Sequence, residues 1–332
     1  MEKVSYEVLF AEFRRVLDKH GFPLERSQFC ARIFADNTRD GINSHGINRF
    51  PGFIDYVQRG LIDPSVDPLL EDAYGAFERW NGATGAGIVN AVHCMERAIA
   101  LAHEFGIGCT ALRNTNHWMR AGTYGLQAAD AGCIGICWTN TQVLMPPWGG
   151  KTPKLGNNPL VLCMPRPEGH LLLDMAMSQF SLGRMMISAK AGDPLPVPGG
   201  FDEAGELTRD PAAIVHTKRS LPIGYWKGSG LSLLLDCIVS ALSGGRASFQ
   251  IGSGPDETDV SQVFMAIDLA KTSAGNAGTV VEAILADVRS AEPVSPGRSV
   301  TVPGEQTAKR RQTSQEIGIP VDPEILMRVR SL

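Results

Sequence analysis

The spacing of apolar residues changes character once along the chain, and that change limits the folds open to it. Tyr6, Leu9, Phe10, Phe13, Val16 and Leu17 recur at helical spacing, and Gly21 closes the run. Pro23 suits the start of a second helix, which would bury Phe29, Ile33 and Phe34. A third stripe, Phe50, Phe53, Ile54 and Val57, falls at i, i+3, i+4 and i+7. Residues 1–60 therefore read as a helical unit. The prolines at 64 and 68 make "LIDPSVDPLL" an extended connection.

From about Phe77 helix and strand alternate. Ile88, Val92, Met95 and Ile99 mark a helix ending at Gly106. "IGCTALRN" and "CIGICWTN" read as strands flanking a helix over Thr123–Asp130, and "PLVLCMP", "LLLDMAM" and "QVFMAIDL" as further strands. "GSGLSLLLDCIVSALSGG" predicts a buried helix with Leu231, Leu234, Leu235, Ile238, Val239 and Leu242 facing inward, and Thr279–Arg289 another helix. Asp193–Gly205 and Gly252–Asp259 read as loops. A last helix starts at the cap Asp322-Pro323. No internal repeat is visible.

The chain's net charge of −4 and pI near 6.0 give no footprint for nucleic acid or an anionic membrane. The N-terminal "MEKVSYEVLF" lacks the continuous apolar core of a signal peptide, and no apolar run reaches the roughly 18 residues of a membrane span. Seven cysteines occur singly, which fits reduced thiols in a cytoplasmic protein, and no Cys/His cluster has metal-ligand spacing, so no metal is expected.

Several motifs are missing or misplaced. "GIGCTA" at Gly106–Ala111 follows a helix and opens a strand, the reverse of a Rossmann fingerprint. "GAGIVN" at Gly85 lacks the preceding strand and a third glycine. A nucleophilic Ser44–His45 dyad is not expected, because adjacent side chains rarely hydrogen-bond in that geometry. Four stretches remain. "SHGINR" puts His45 and Arg49 between two helices, either as a polar connection or as a proton donor beside a carboxylate-binding cation. "RNTNHWMRAGTYG" carries His117, Trp118, Arg120 and Tyr124 on a strand-to-helix loop. "GYWKGSGLSLLLD" opens a helix on glycine with Lys227 beside it, which suits an anion or merely tight helix packing. "LLLDMAMSQFS" sets Asp174 near a strand end, where it could equally cap the next turn.

At these stretches the sequence resembles the malate/L-lactate dehydrogenase-type family of NAD(P)-dependent oxidoreductases. Ser44, His45, Gly46 and Arg49 match its Ser-His-Gly-x-x-Arg stretch, "GNNPL" its Gly-x-Asn-Pro-Leu stretch, and "WKGSGLSLLLD" its Lys-Gly-x-Gly helix start. The likeness runs nearly end to end. "SHGINRFPGFI", "ALRNTNHWMRAGTYG", "GICWTNT", "MPPWG" and "PIGYWKGSG" are similar to the subgroup that reduces 2,3-diketo-L-gulonate. One stretch departs from that subgroup, reading Pro303-Gly304-Glu305-Gln306 where Pro-Gly-His-Glu is the pattern.

The resemblance implies an α/β, non-Rossmann, L-sulfolactate dehydrogenase-like fold. It implies a helical domain of residues 1–65 completed by the C-terminal helix (about 305–332), an α/β cofactor- and substrate-binding domain of residues 66–304, and a homodimer with its active site near the subunit contact. It implies His45 as proton donor, working with a pKa near neutrality. Arg49, His117 and Arg120 would hold the substrate. Asp174, Met175, Ala176, Met177, Ser178, Trp226, Lys227, Gly304, Glu305 and Gln306 fall on the family's cofactor-contacting segments. The reaction implied is reduction of a 2-keto sugar acid, 2,3-diketo-L-gulonate to 3-keto-L-gulonate, with NADH, NADPH remaining open. The alternatives are a malate, lactate, ureidoglycolate or imino-acid dehydrogenase of the same fold, or a non-catalytic sugar-acid binding protein.

Overall fold

The structure, a computed structural model, describes residues 2–295 and 297–332. A short strand β1 (Glu2–Val4) leads into α1 (Tyr6–Lys19), α2 (Leu24–Arg39) and α3 (Phe50–Gln58), with a 3₁₀ turn, Asn43–His45, between the last two. Next come β2 (Leu69–Tyr74), β3 (Phe77–Asn81), α4 (Gly87–Phe105), β4 (Ile107–Thr115), α5 (Gly122–Asp130) and β5 (Cys133–Thr139). They are followed by β6 (Val143–Met145), β7 (Leu155–Gly156), β8 (Leu160–Met164), β9 (Leu171–Met175), α6 (Leu182–Ala191), β10 (Gly200–Phe201), β11 (Leu207–Thr208), α7 (Pro211–Thr217) and α8 (Trp226–Ser243). The C-terminal part carries α9 (Ser248–Ile251), β12 (Val260–Asp268), α10 (Leu269–Thr272), α11 (Ala277–Arg289), α12 (Glu305–Ile317), β13 (Ile319–Val321) and α13 (Pro323–Ser331).

Seven strands form the main sheet in the order β2-β3-β4-β12-β5-β8-β9. Only β3 and β4 run parallel, joined by the crossover helix α4; every other neighbour is antiparallel. A Rossmann sheet is mostly parallel and binds its dinucleotide at a strand-order switch, so this sheet has no place for that fingerprint. One face packs on α4 and α5 through Leu112, Phe264, Cys94, Met95 and Ala128. The other packs on α8 through Ala111, Val263, Trp138, Leu235 and Val239. Successive residues of β4 and β12 thus face opposite cores, which explains why "QVFMAIDL" is apolar without alternation.

The N-terminal helices enclose a separate core. The rings of Phe13 and Phe50 lie 4.6 Å apart and those of Phe34 and Phe50 4.9 Å, the latter edge to face; each such pair adds about 0.5–1.5 kcal/mol beyond its burial. Ile319, Val321, Leu326 and Val329 from the C-terminal end fill the same core. β1 pairs with β13 in antiparallel register from Glu2↔Val321 to Val4↔Ile319, so the two chain ends are joined here.

Several sequence expectations change. Leu235 and Val239 of α8 are buried, but Leu231, Leu234 and Ile238 are 37%, 58% and 43% exposed. The helix is apolar on most sides, so its periodicity cannot say which side meets the sheet. Helix α6 was not anticipated, and the C-terminal helix expected over about 305–332 is divided into α12 and α13 with β13 between them. In α12, "EQTAKRRQTSQEI" is polar all round and offers no stripe to read. The loop read over Asp193–Gly205 contains β10. Among the described residues no helix is long and apolar enough to cross a membrane.

Candidate active site

The 3₁₀ turn bearing His45 follows from what ends α2. Gly41, at φ +76°, lets the chain reverse, with Ile42 N–H donating to Asn37 C=O at 2.8 Å. A side chain on Gly46 would collide with Thr38 Oγ1, which already accepts from Ile47 N–H at 3.0 Å. Asn37 Nδ2 then donates to the His45 carbonyl at 3.0 Å. The backbone on both sides of the histidine is thereby fixed.

The His45 ring stacks on His117, centroids 5.6 Å apart and planes within 16°. Ser44 Oγ lies 3.1 Å from His45 Nδ1, so these neighbours do meet, contrary to the expectation from sequence: the 3₁₀ turn bends them together. This contact orients the ring rather than activating a nucleophile. Burial first, then the charges of Arg49 and Arg120, push the His45 pKa down to about 4, which makes it a weak base toward a hydroxyl. That value also corrects the expectation of a pKa near neutrality: the free site holds His45 neutral. His117 is pushed well below its ordinary value by burial, then by Arg49 and His45. Its Nδ1 accepts from Met119 N–H at 3.0 Å, which puts the ring proton on Nε2 as a potential donor. Met119 reaches this position at φ +64°, a conformation few non-glycine residues adopt.

The expected substrate-binding arginines separate. Arg49 is partly exposed, and among the described residues no acid lies within salt-bridge distance of it. Arg120 is corrected: it is 4% exposed, and its Nη1 donates to the buried Asp40 carboxylate at 2.8 Å. Its guanidinium is held in the wall by an ion pair, so it is not a free carboxylate clamp.

The three stretches expected to contact a cofactor lie along one strand. At its start, Leu172 N–H donates to Pro303 C=O at 3.3 Å, and Gly304, at φ +99°, crosses so close that a side chain would meet His170 C=O at 3.0 Å. Just past its end, Ser178 bridges Pro222, and Ile223 N–H donates to Met177 C=O at 2.8 Å, which ties the segment leading into Trp226 and Lys227 to this strip. Gly183 packs on Ser44, joining this strip to the histidine turn. Within the strip not every side chain is available. Met177 is fully buried in the sheet core. Ser178 Oγ donates to Phe180 C=O at 2.8 Å. The Glu305 carboxylate accepts from Arg289 at 2.6 Å and from Val302 N–H at 3.1 Å. Met175 and Ala176 are half-buried, while Trp226, Lys227 and Gln306 are exposed.

Asp174 is reached by solvent, yet the surrounding protein raises its pKa; Gly122 N–H, which donates to Oδ2 at 2.8 Å, and the Arg120 charge oppose that rise. Lys227 lies in the first turn of the 18-residue α8 with no acid within 4.0 Å among the described residues. Tyr225 before it takes φ +61°, and its ring lies 5.5 Å from that of Trp148. An unpaired ammonium at a helix N-terminus, a side-chain-free crossing at Gly304 and exposed aromatic rings fit an anionic, ring-bearing dinucleotide.

A family model, malate/L-lactate dehydrogenase, matches residues 4–330. The chain belongs to the malate/L-lactate dehydrogenase family. A 2,3-diketo-L-gulonate reductase of Escherichia coli is 42% identical over 99% of this chain and 100% of its own length. Sulfolactate dehydrogenase from Methanocaldococcus jannaschii shares the fold with a TM-score of 0.90 at 29% identity, covering 99% of this chain and 96% of that one. Delta1-piperideine-2-carboxylate reductase from Pseudomonas syringae superposes with a TM-score of 0.88 at 28% identity, covering 100% and 99%. The fold is thus the non-Rossmann α/β fold of sulfolactate dehydrogenase, and the chain is an NAD(P)-dependent dehydrogenase of this family.

Sequence reasoning missed Asp40 and Arg311. An aspartate at the end of one helix and an arginine midway along a polar one carry no motif.

Proposed function

We propose that the protein reduces a 2-keto sugar acid, 2,3-diketo-L-gulonate to 3-keto-L-gulonate, with NADH and with His45 as proton donor. The observation that carries this reading is the stacked His45–His117 pair beside the unpaired Arg49; the full-length 42% identity to 2,3-diketo-L-gulonate reductase supports the substrate.

Lys227, the Gly304 crossing and the outer oxygen of Asp174 would hold the cofactor, which when bound supplies a hydride to the substrate's carbonyl carbon. The chain's own residues do the rest. Arg49 binds the substrate carboxylate through charge-assisted bonds. His117 Nε2–H donates to a neighbouring carbonyl or hydroxyl. His45 delivers a proton to the oxygen on which charge develops, a contribution of about 10²–10⁴-fold. A neutral imidazole is a far weaker acid than the imidazolium, so proton transfer is served when the substrate charges the ring. One carboxylate about 6 Å from His45 at an effective dielectric near 20 favours the imidazolium by roughly 3 kcal/mol, or about two pKa units. Arrival of the anionic substrate thus charges the acid that the reaction then uses. In the oxidative direction the neutral ring is ready as a base.

We propose that the working form is a homodimer. Leu231, Leu234 and Ile238 lie exposed along one side of α8, the helix whose first turn holds Lys227. An apolar stripe of this kind suits cover by a second copy. Light scattering on Leu234→Asp should show a monomer.

The test of function is NADH and NADPH oxidation with 2,3-diketo-L-gulonate, pyruvate, oxaloacetate, a ureido acid and a cyclic imino acid. Highest kcat/KM with the sugar acid is expected. A preference for another member of the panel moves the protein within its family, and no oxidation with any of them favours a binding protein.

A further inference from the structure

Asp40 is fully buried at the C-terminal end of α2, where the helix dipole disfavours a carboxylate. Burial works against its charge as well. Hydrogen bonds and charge from Arg311, with the charges of Arg120 and Arg39, outweigh both and hold its pKa below the ordinary range. Oδ1 accepts from Arg39 Nε at 3.1 Å and Arg311 Nε at 2.9 Å. Oδ2 accepts from Arg120 Nη1 at 2.8 Å and Arg311 Nη2 at 2.7 Å. Arg311 therefore grips the carboxylate with both tines of its fork, a geometry lysine cannot reproduce.

These partners come from separate parts of the chain. Asp40 itself lies five residues before His45, on the turn that Asn37 fixes. Arg120 ends the loop that carries His117 and Met119. Arg311 belongs to α12, whose first turn follows the Gly304 crossing of β9. Arg120 also reaches a fourth wall. A Cβ on Gly122 would lie 2.9 Å from Asp174 Oδ2 and 3.3 Å from Arg120 Nε, so the two groups flank one narrow gap, and Nε has no hydrogen-bond partner among the described residues. Because α12 is polar all round, its place depends on polar contacts such as Arg311–Asp40 more than on an apolar stripe.

We propose that Asp40 is a positioning residue: one buried carboxylate that sets the His45 turn, the His117 loop and the α12 segment relative to one another across the cleft. The assignment of α12 to cofactor binding rests on the function proposed above; the three-way tether does not.

The tether predicts a split that a generally stabilising contact would not give. Arg311→Met frees α12 alone. Kd for NADH, read by tryptophan fluorescence, should rise at least roughly tenfold, since two charged hydrogen bonds are lost, with kcat and the KM for the keto acid little changed. Arg120→Met frees the His117 loop and leaves α12 gripped by Arg311. Its kcat should fall by up to about 100-fold, as for a reacting group displaced by an ångström, with Kd for NADH rising less than in Arg311→Met, since Arg120 touches the cofactor strip only beside Asp174. Asp40→Asn should show both losses. Hydrogen exchange followed by mass spectrometry provides a readout independent of activity. Arg311→Met should speed exchange over 305–317, Arg120→Met over 116–121, and Asp40→Asn over both and over 41–49. If Asp40→Asn does not fold, the two arginine variants decide alone. Equal loss of every kinetic parameter in both, or exchange rising uniformly along the chain, overturns the proposal. If the unmodified protein binds no NADH and reduces no keto acid, the functional reading fails, and the exchange pattern still upholds or overturns the tether.

Discussion

Arg49→Gln tests the two roles assigned to that side chain, which push the reaction in opposite directions. Arg49 is the cation free to take a substrate carboxylate, and it is also one of the groups depressing His45. Removing one partner of a hydrogen-bonded charge pair costs roughly 2–4 kcal/mol. At that size, kcat/KM for reduction falls about 30- to 1,000-fold. Meanwhile the proton affinity of His45 should rise. The descent from 6.5 to about 4 is shared by burial, the largest cause, Arg49 and Arg120. Arg49 therefore accounts for at most about one pKa unit of it. The pH dependence of kcat/KM reports the free enzyme, and reduction needs the protonated ring, so activity declines above the His45 pKa. The variant should be slower at neutral pH, with the start of that decline moved upward by up to about one pH unit. The assay is steady-state NADH oxidation with 2,3-diketo-L-gulonate from about pH 4 to 8, the titration range of a depressed histidine. A variant within threefold or so of the unmodified enzyme at every pH removes Arg49 from substrate binding, since it lies far below the expected loss. A large loss with an unmoved limb shows that Arg49 does not act on His45.

Four further outcomes are expected. His45→Asn should abolish reduction yet leave NADH affinity nearly unchanged in a fluorescence titration. The same variant should lose less stability in acid. His45 binds its proton at about 6.5 when unfolded and only at about 4 when folded, so the native enzyme's stability falls as pH drops between those values, and equal urea midpoints for both proteins there would contradict this. Lys227→Ala should raise the KM for the cofactor with kcat nearly constant, the mark of binding shared by ground and transition states; a fall in kcat alone would place Lys227 in the chemistry. NADH should outperform NADPH in kcat/KM because the Asp174 carboxylate would repel a 2′-phosphate, and Asp174→Ser should narrow the ratio, whereas an unaltered ratio removes Asp174 from this role.

The sequence alone determined the elements with strong local signals. Helices α1 to α4 and α13, with their glycine and proline boundaries, follow from apolar stripes that any chain with this spacing would bury. The absence of a usable Rossmann fingerprint was legible too: Gly106 ends a helix and β4 begins after it, the order read from residues alone. His45 and Arg49 stood out because an imidazole and a guanidinium share a connection that needs only turn residues. Tertiary structure decided the rest, for three physical reasons. Helix α8 is apolar on most sides, so only packing against β4, β5 and β12 could show that Leu235 and Val239 lie inside while Leu231, Leu234 and Ile238 remain open. Helix α12 has no stripe, so only the resemblance pointed to a helix there, and the three-residue strands β1 and β13 are too short to carry a period, so their pairing was invisible until the chain ends met. The charged network was beyond reach in principle. Arg120 looked free to bind substrate because its partner Asp40 lies 80 positions away, and the second arginine on that carboxylate 271 away. Sequence spacing encodes what neighbours along a helix or strand can do. Whether a charge is free or paired is decided by which distant segment folds against it.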